Sequence, residues 1–174
     1  TLSNLKSKIF LASDGIDLST ILGKESIADM IAFSADIMGE MQNGQLRNGR
    51  INGQIDRLDF NNYSYSNIAL KALANNGKYK GKLSISDPNG EINLSGEAEN
   101  THRNTSAHID LSCKGLDLAA LNLLPQAAGN KLSFNLDARL AGKHIDTIDG
   151  EIYVDNLHYG NSTENFTLKD ITIE

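Results

Sequence analysis

Catalysis or metal binding by this 174-residue chain would have to come from four histidines, one cysteine and a scatter of carboxylates. The histidines, His102, His108, His144 and His158, show neither H-x-x-x-H nor H-E-x-x-H spacing, and with Cys113 alone no familiar zinc-ligand set can be assembled. All four read as solvent-facing strand residues. Cys113 ends the alternating run His108-Ile109-Asp110-Leu111-Ser112-Cys113, which puts a small apolar side chain on the buried face and shows no context that would lower its pKa. Acid/base chemistry needs carboxylates in a shared, desolvated place. Asp56, Asp59, Asp110, Asp137, Asp146 and Asp149 fall instead on polar-face or turn positions, where charge is solvated. Gly53 and Gly150 lie inside strand-like segments rather than in phosphate-binding glycine motifs, so a bulge or tight bend is expected at each. The chain reads as non-catalytic, with no metal and no cofactor.

Composition narrows the partners. A net charge of -6 and Lys and Arg residues scattered along the chain argue against nucleic acid. Hydrophobic residues at 40% with aromatics at only 6% and no Trp describe a core of Leu, Ile and Ala, without the aromatic anchors common at tight protein interfaces. No segment approaches the roughly 18 to 20 apolar residues that a membrane helix requires.

The elements carrying these residues alternate. From Lys131 to Leu140 every even position is apolar and every odd one polar, the signature of a strand with one buried face. The same parity links Leu83 with Ile85, Ile92 with Leu94, Ile109 with Leu111, Ile51 with Ile55 and Ile152 with Val154. Asp87-Pro88-Asn89-Gly90 predicts a tight antiparallel hairpin, with Asn89 and Gly90 at positive φ, and Asn75-Asn76-Gly77 predicts a second turn. Two stretches break the alternation. Asp17 to about Met30 has apolar residues at 18, 21, 22, 27, 30 and 31, which predicts a short helix capped by Asp17 or Asp14. Residues 117–124 predict a shorter one ended by Pro125.

An internal repeat organises these pieces. Ile9-Phe10-Leu11-Ala12-Ser13-Asp14-Gly15-Ile16-Asp17-Leu18 is matched by Ile109-Asp110-Leu111-Ser112-Cys113-Lys114-Gly115-Leu116-Asp117-Leu118 at an offset of 115 - 15 = 100. Further on, Ile51-Asn52-Gly53-Gln54-Ile55 returns as Ile148-Asp149-Gly150-Glu151-Ile152, and Leu58-Asp59-Phe60 as Leu157-His158-Tyr159. The expected division is a first unit at 1–100 and a second, incomplete one at 101–174, as in a piece of a longer array. One helix per unit is too few for parallel crossovers, so the sheet is expected to be antiparallel. Two short helices cannot cover its apolar face. That face must close on itself, pair with a second sheet, or hold an apolar ligand.

The run Leu83-Ser84-Ile85-Ser86-Asp87-Pro88-Asn89-Gly90-Glu91-Ile92-Asn93-Leu94-Ser95-Gly96 resembles the repeated units of TamB and AsmA-like envelope proteins. So do the helix starts Gly15-Ile16-Asp17-Leu18 and Gly115-Leu116-Asp117-Leu118, and the segment from Asp149 to Tyr159. The Asn-rich style resembles Bacteroidota members. The resemblance implies a curled antiparallel sheet forming an open apolar trough, the β-taco, in an inner-membrane-anchored protein reaching through the periplasm. It also implies a role in outer-membrane biogenesis and phospholipid movement, with an outer-membrane barrel of the Omp85 type met through regions outside this chain. Acyl chains would then lie against Ile51, Ile55, Leu83, Ile85, Ile92, Leu94, Ile109, Leu111, Leu132, Phe134, Leu136, Leu140, Ile152 and Val154. The competing expectation is a structural or adhesive β-sandwich repeat with a closed core and no ligand.

Overall fold

The computed structural model describes residues 4–22, 28–42, 45–101, 104–127, 129–142 and 149–173. Eleven strands carry the fold: β1 (Asn4–Asp17), β2 (Ala28–Gln42), β3 (Gln45–Phe60), β4 (Tyr63–Tyr65), β5 (Ile68–Asn75), β6 (Lys78–Asp87), β7 (Gly90–Asn100), β8 (Thr105–Asp117), β9 (Lys131–Gly142), β10 (Asp149–Gly160) and β11 (Asn165–Ile173). Their pairing order, β1-β2-β3-β5-β6-β7-β8-β9-β10-β11 with β4 attached to β3, is that of one antiparallel sheet not closed into a barrel. Among the described residues no helix is long and apolar enough to cross a membrane.

Contacts divide the chain into two compact units, Thr1–Asp87 and Pro88–Glu174. The repeat placed a boundary at 100/101 instead. The difference lies in β7, which pairs with β8 from Glu91↔Lys114 to Asn100↔Thr105 and so belongs with the second unit. Within the units the same strand sequence recurs: β1, β2, β3 and β5 are neighbours in the order in which β8, β9, β10 and β11 are. Both copies also break register at matching points, between Ser13 and Ile16 in β1 and between Cys113 and Leu116 in β8. Each break contains a glycine, and the Gly115 N–H, at φ 59°, donates to Ser133 Oγ at 2.8 Å.

Among the described residues little of either unit is buried. In the first, Tyr65 and Ile68 are covered, with the Tyr63 and Tyr65 rings edge to face at 4.7 Å and the Tyr63 hydroxyl donating to Asp87 Oδ1 at 2.6 Å. In the second, Cys113, Leu116, Leu121, Ala127 and Ala138 are covered. Leu121, only 2% exposed, is set into place by the turn that carries it.

Both expected helices are corrected to single turns. Among the described residues of 17–30 only α1 (Ser19–Leu22) is helical, and Met30 and Ile31 already lie in β2, paired with Asp17 and Ile16. Residues 23–27 of the expected helix, Ile27 included, lie outside the described residues. Asp17 does cap the turn, accepting from the Ser19 N–H at 2.9 Å. Over 117–124 the Leu121 N–H donates to the Asp117 carbonyl, and Asp117 Oδ1 accepts from the Ala120 N–H at 2.9 Å. Asn122 then takes φ 57°, and the Asn122 and Leu123 N–H groups bond back to Ala119 and Leu118, a left-handed helix stop after one turn. Pro125 opens a 3₁₀ turn, Pro125–Ala127, rather than ending a helix.

The turns divide similarly. Asn76 (φ 47°) and Gly77 (φ 83°) form the expected two-residue connection between β5 and β6. After Pro88, Gly90 has positive φ (140°) while Asn89 does not, and the Asn89 carbonyl accepts from the Asp117 N–H at 2.8 Å. No bulge occurs at Gly53, which pairs regularly with Ala35 and Leu70, nor at Gly150, which pairs with Leu140. A side chain at Gly150 would nevertheless run into the Arg139 carbonyl, so close approach explains that glycine.

A Cβ at Gly90 would lie 2.8 Å from the Leu116 Cα, whereas at Gly53 the nearest atoms are at an ordinary 3.8 Å. Gly90→Ala should therefore cost about 1 to 3 kcal/mol through overpacking and positive φ. Gly53→Ala should stabilise by roughly 0.5 kcal/mol through lost unfolded-state freedom. Urea unfolding followed by far-UV circular dichroism separates the two, and equal effects would contradict this account of the glycines.

Candidate functional site

Directly paired residues of antiparallel strands share a face, so the register sorts every strand residue to one side of its unit. In the first unit four apolar rows run across the strands, one of them Ile16-Ile31-Leu58-Tyr65. The other three are Ile9-Ile37-Ile51-Ala72, Leu11-Ala35-Gly53-Leu70-Leu83 and Phe33-Ile55-Ile68-Ile85. In the second unit the rows are Ile92-Cys113-Phe134, Leu94-Leu111-Leu136-Val154-Ile171, Gly96-Ile109-Ala138-Ile152-Ile173, Ala98-Ala107-Leu140-Gly150 and Leu116-Leu132-Tyr159. All fourteen residues expected to line an apolar surface thus fall on the apolar face of their unit. The register adds Ile9, Leu11, Phe33, Ile37, Leu70 and Leu116, which the sequence reading left out. Ile9 and Leu11 lie in the unbroken apolar run Ile9-Phe10-Leu11-Ala12, which does not say which side chains share a face; Phe33 and Ile37 followed a stretch read as helix.

None of those fourteen side chains is buried; every one is half-covered. Neighbours on the same face stand further out, with Ile9 at 48%, Leu11 at 46% and Ile173 at 55% exposure. Covering each further 100 Å² of this surface would contribute about 2.5 kcal/mol. The burial that exists in the first unit, at Tyr65 and Ile68, gathers where β4 folds back on β3. Cys113 sits in the apolar row as expected, 5% exposed, and burial pushes its thiol pKa up, away from reactivity.

The opposite face is polar, but its chemistry is more concentrated than the sequence suggested. Asp110 and Asp137 stand directly opposite each other on β8 and β9, a like-charge pair that a sheet normally avoids. His108 relieves it. Its Nε2–H donates to Asp137 Oδ2 at 2.6 Å and lies 3.6 Å from Asp110 Oδ1, while Arg139 Nε lies 3.3 Å from Asp137 Oδ1. The hydrogen bond to Asp137 raises the His108 pKa and, reciprocally, holds the Asp137 carboxyl below its ordinary range. Asp59 is paired elsewhere, with Arg57 at 2.6 Å, while Asp56 and Asp149 are simply exposed. His158 is exposed, with Nδ1 3.2 Å from the Thr167 hydroxyl. His102, His144 and Asp146 lie outside the described residues.

Pairing also gathers basic residues. Lys71 stands opposite Lys82, and Lys8, Arg50 and Lys80 alternate with Met38 and Leu73 in one row of the first unit's polar face. Charge is divided unequally along the chain. Residues 1–87 hold 10 Lys and Arg against 9 Asp and Glu, and residues 88–174 hold 6 against 13.

No family model, no curated protein and no solved structure matches the chain. Its function has to be argued from the two faces themselves.

Because the folded pKa of His108 lies above its ordinary value of 6.5, the stability this imidazolium contributes is fully present below about pH 6.5. It is lost as pH rises through the raised folded value. An NMR titration of the His108 ring should show this upward shift, and Asp137→Asn should remove most of it. A His108 pKa unchanged by that substitution would place the cause elsewhere.

Proposed function

We propose that this chain is a non-catalytic segment of an envelope-spanning protein, and that its apolar β face shields or conducts phospholipid acyl chains between inner and outer membranes. The observation that carries the reading is the exposure of one continuous apolar face in each unit, built from fourteen half-covered residues and more exposed neighbours such as Ile9 and Leu11. Leu, Ile, Val and Phe side chains suit acyl chains because they reward burial without selecting a head group. The pattern shared with TamB and AsmA-like repeats supports the same reading. It would place the segment in the periplasm, within a protein anchored in the inner membrane, and would make an outer-membrane barrel the partner of regions outside this chain.

The competing reading, a structural or adhesive sandwich, requires these same rows to be closed by a second layer. Buried residues are too few and too localised within each unit to favour it.

A photo-crosslinking residue placed at Phe134 distinguishes the two. It should capture phospholipid in cells, as should one at Leu94, while one at the polar-face position Ser112 should not. Protein-only adducts at both apolar positions would sink the acyl-chain reading. Leu136→Asp supplies the functional counterpart: it should compromise envelope integrity in the full-length protein while the purified chain keeps its circular dichroism spectrum, since the site is half-open to water. Outright unfolding by that substitution would point to a closed core.

A further inference from the structure

His108 and Asp110 are two residues apart on β8, so both side chains leave the sheet on the same side, and Asp137 faces Asp110 from β9. One nitrogen of the imidazole and one oxygen of each carboxylate lie within 4.8 Å of one another. We infer that these three side chains form a binding site for a divalent transition-metal ion of the zinc class, clipping β8 to β9 with one nitrogen and two oxygen ligands.

Geometry is the first support. Ligands at the usual 2.0 to 2.2 Å from a tetrahedral centre lie roughly 3.3 to 3.6 Å from one another. The distances from His108 Nε2 of 2.6 Å to Asp137 and 3.6 Å to Asp110 bracket that spacing, so small side-chain rotations suffice. All three residues lie in the interior of paired strands, which fixes their backbones before any ion arrives. Their side chains are partly exposed, which leaves coordination positions for water.

Charge is the second. Glu97 stands opposite His108 on β7, and Glu151 opposite Arg139 on β10, both on this same face. Among the described residues Arg139 is the one guanidinium set among these four carboxylates, in a unit with 13 acidic and 6 basic residues. A dication between Asp110 and Asp137 would turn a like-charge opposition into an attraction that both carboxylates share. Donor chemistry then selects the ion: an imidazole nitrogen favours zinc and its transition-metal neighbours over magnesium and calcium, which prefer oxygen alone. The inference concerns the polar face and stands independently of what covers the apolar one.

The test is calorimetric titration of zinc chloride into the intact chain in a non-coordinating buffer, with thermal unfolding followed in parallel. One ion should bind per chain, and the unfolding temperature should rise with zinc. His108→Ala and Asp137→Asn should each weaken binding at least about tenfold. His158→Ala should leave it unchanged, and magnesium chloride should not displace zinc. Circular dichroism of each variant confirms that the sheet is kept. Absence of saturable binding below about 1 mM zinc, affinity that survives both His108→Ala and Asp137→Asn, or equal competition by magnesium would each overturn the assignment.

Discussion

A backbone hydrogen bond between two antiparallel strands fixes which way the side chains of both strands point. In this chain the ladders run long, and that one constraint decides both faces. Slipping β5 by a single residue against β3 would carry Leu70 and Ala72 to the polar side and bring Lys71 among isoleucines. The Asn76-Gly77 turn, with both residues at positive φ, prevents such a slip between β5 and β6. The paired breaks at Ser13/Ile16 and Cys113/Leu116 set the phase at the ends of β1 and β8, where the chain must leave the sheet and return.

Stability in such a molecule comes from rows rather than from a centre. Each apolar row removes some surface from water by lateral contact, and the few well-covered residues are split between turns, as at Leu121 and Ala127, and strand interiors, as at Ala138. The charged face contributes less. Pairs such as Lys6 with Glu40 at 3.8 Å are solvated and screened, so they order side chains more than they stabilise the fold. Half-covered apolar rows are costly to maintain in water, and that cost gives the acyl-chain reading its physical content.

The alternation of Lys131 to Leu140 was legible because one face of β9 is polar and the other apolar, a difference that composition records residue by residue. The turns at Asn75-Asn76-Gly77 were legible for the same local reason. Helices were over-read because apolar spacing over fourteen residues cannot distinguish a helix from one turn followed by a strand, and Met30 and Ile31 satisfy either. The cluster at His108 was hidden for a different reason. His108-x-Asp110 marks only a shared side, whereas Asp137 is brought opposite by a register that includes the break at Cys113/Leu116. Hydropathy carries no information about that register, nor about the meeting of Lys71 with Lys82.

The meander has a kinetic meaning as well. Apart from the short β4, each strand pairs with the strand that comes next along the chain, so the contacts that define the sheet are made between segments close in sequence. Closing short loops is entropically cheap, and each doubling of loop length adds only about 0.6 kcal/mol. The two-residue connection between β5 and β6, with both residues at positive φ, is a natural first hairpin, from which neighbouring strands can dock one after another. A meander of this order suits zipping, in which each new strand docks on the one before it. Local damage to one strand then delays its neighbours rather than the whole.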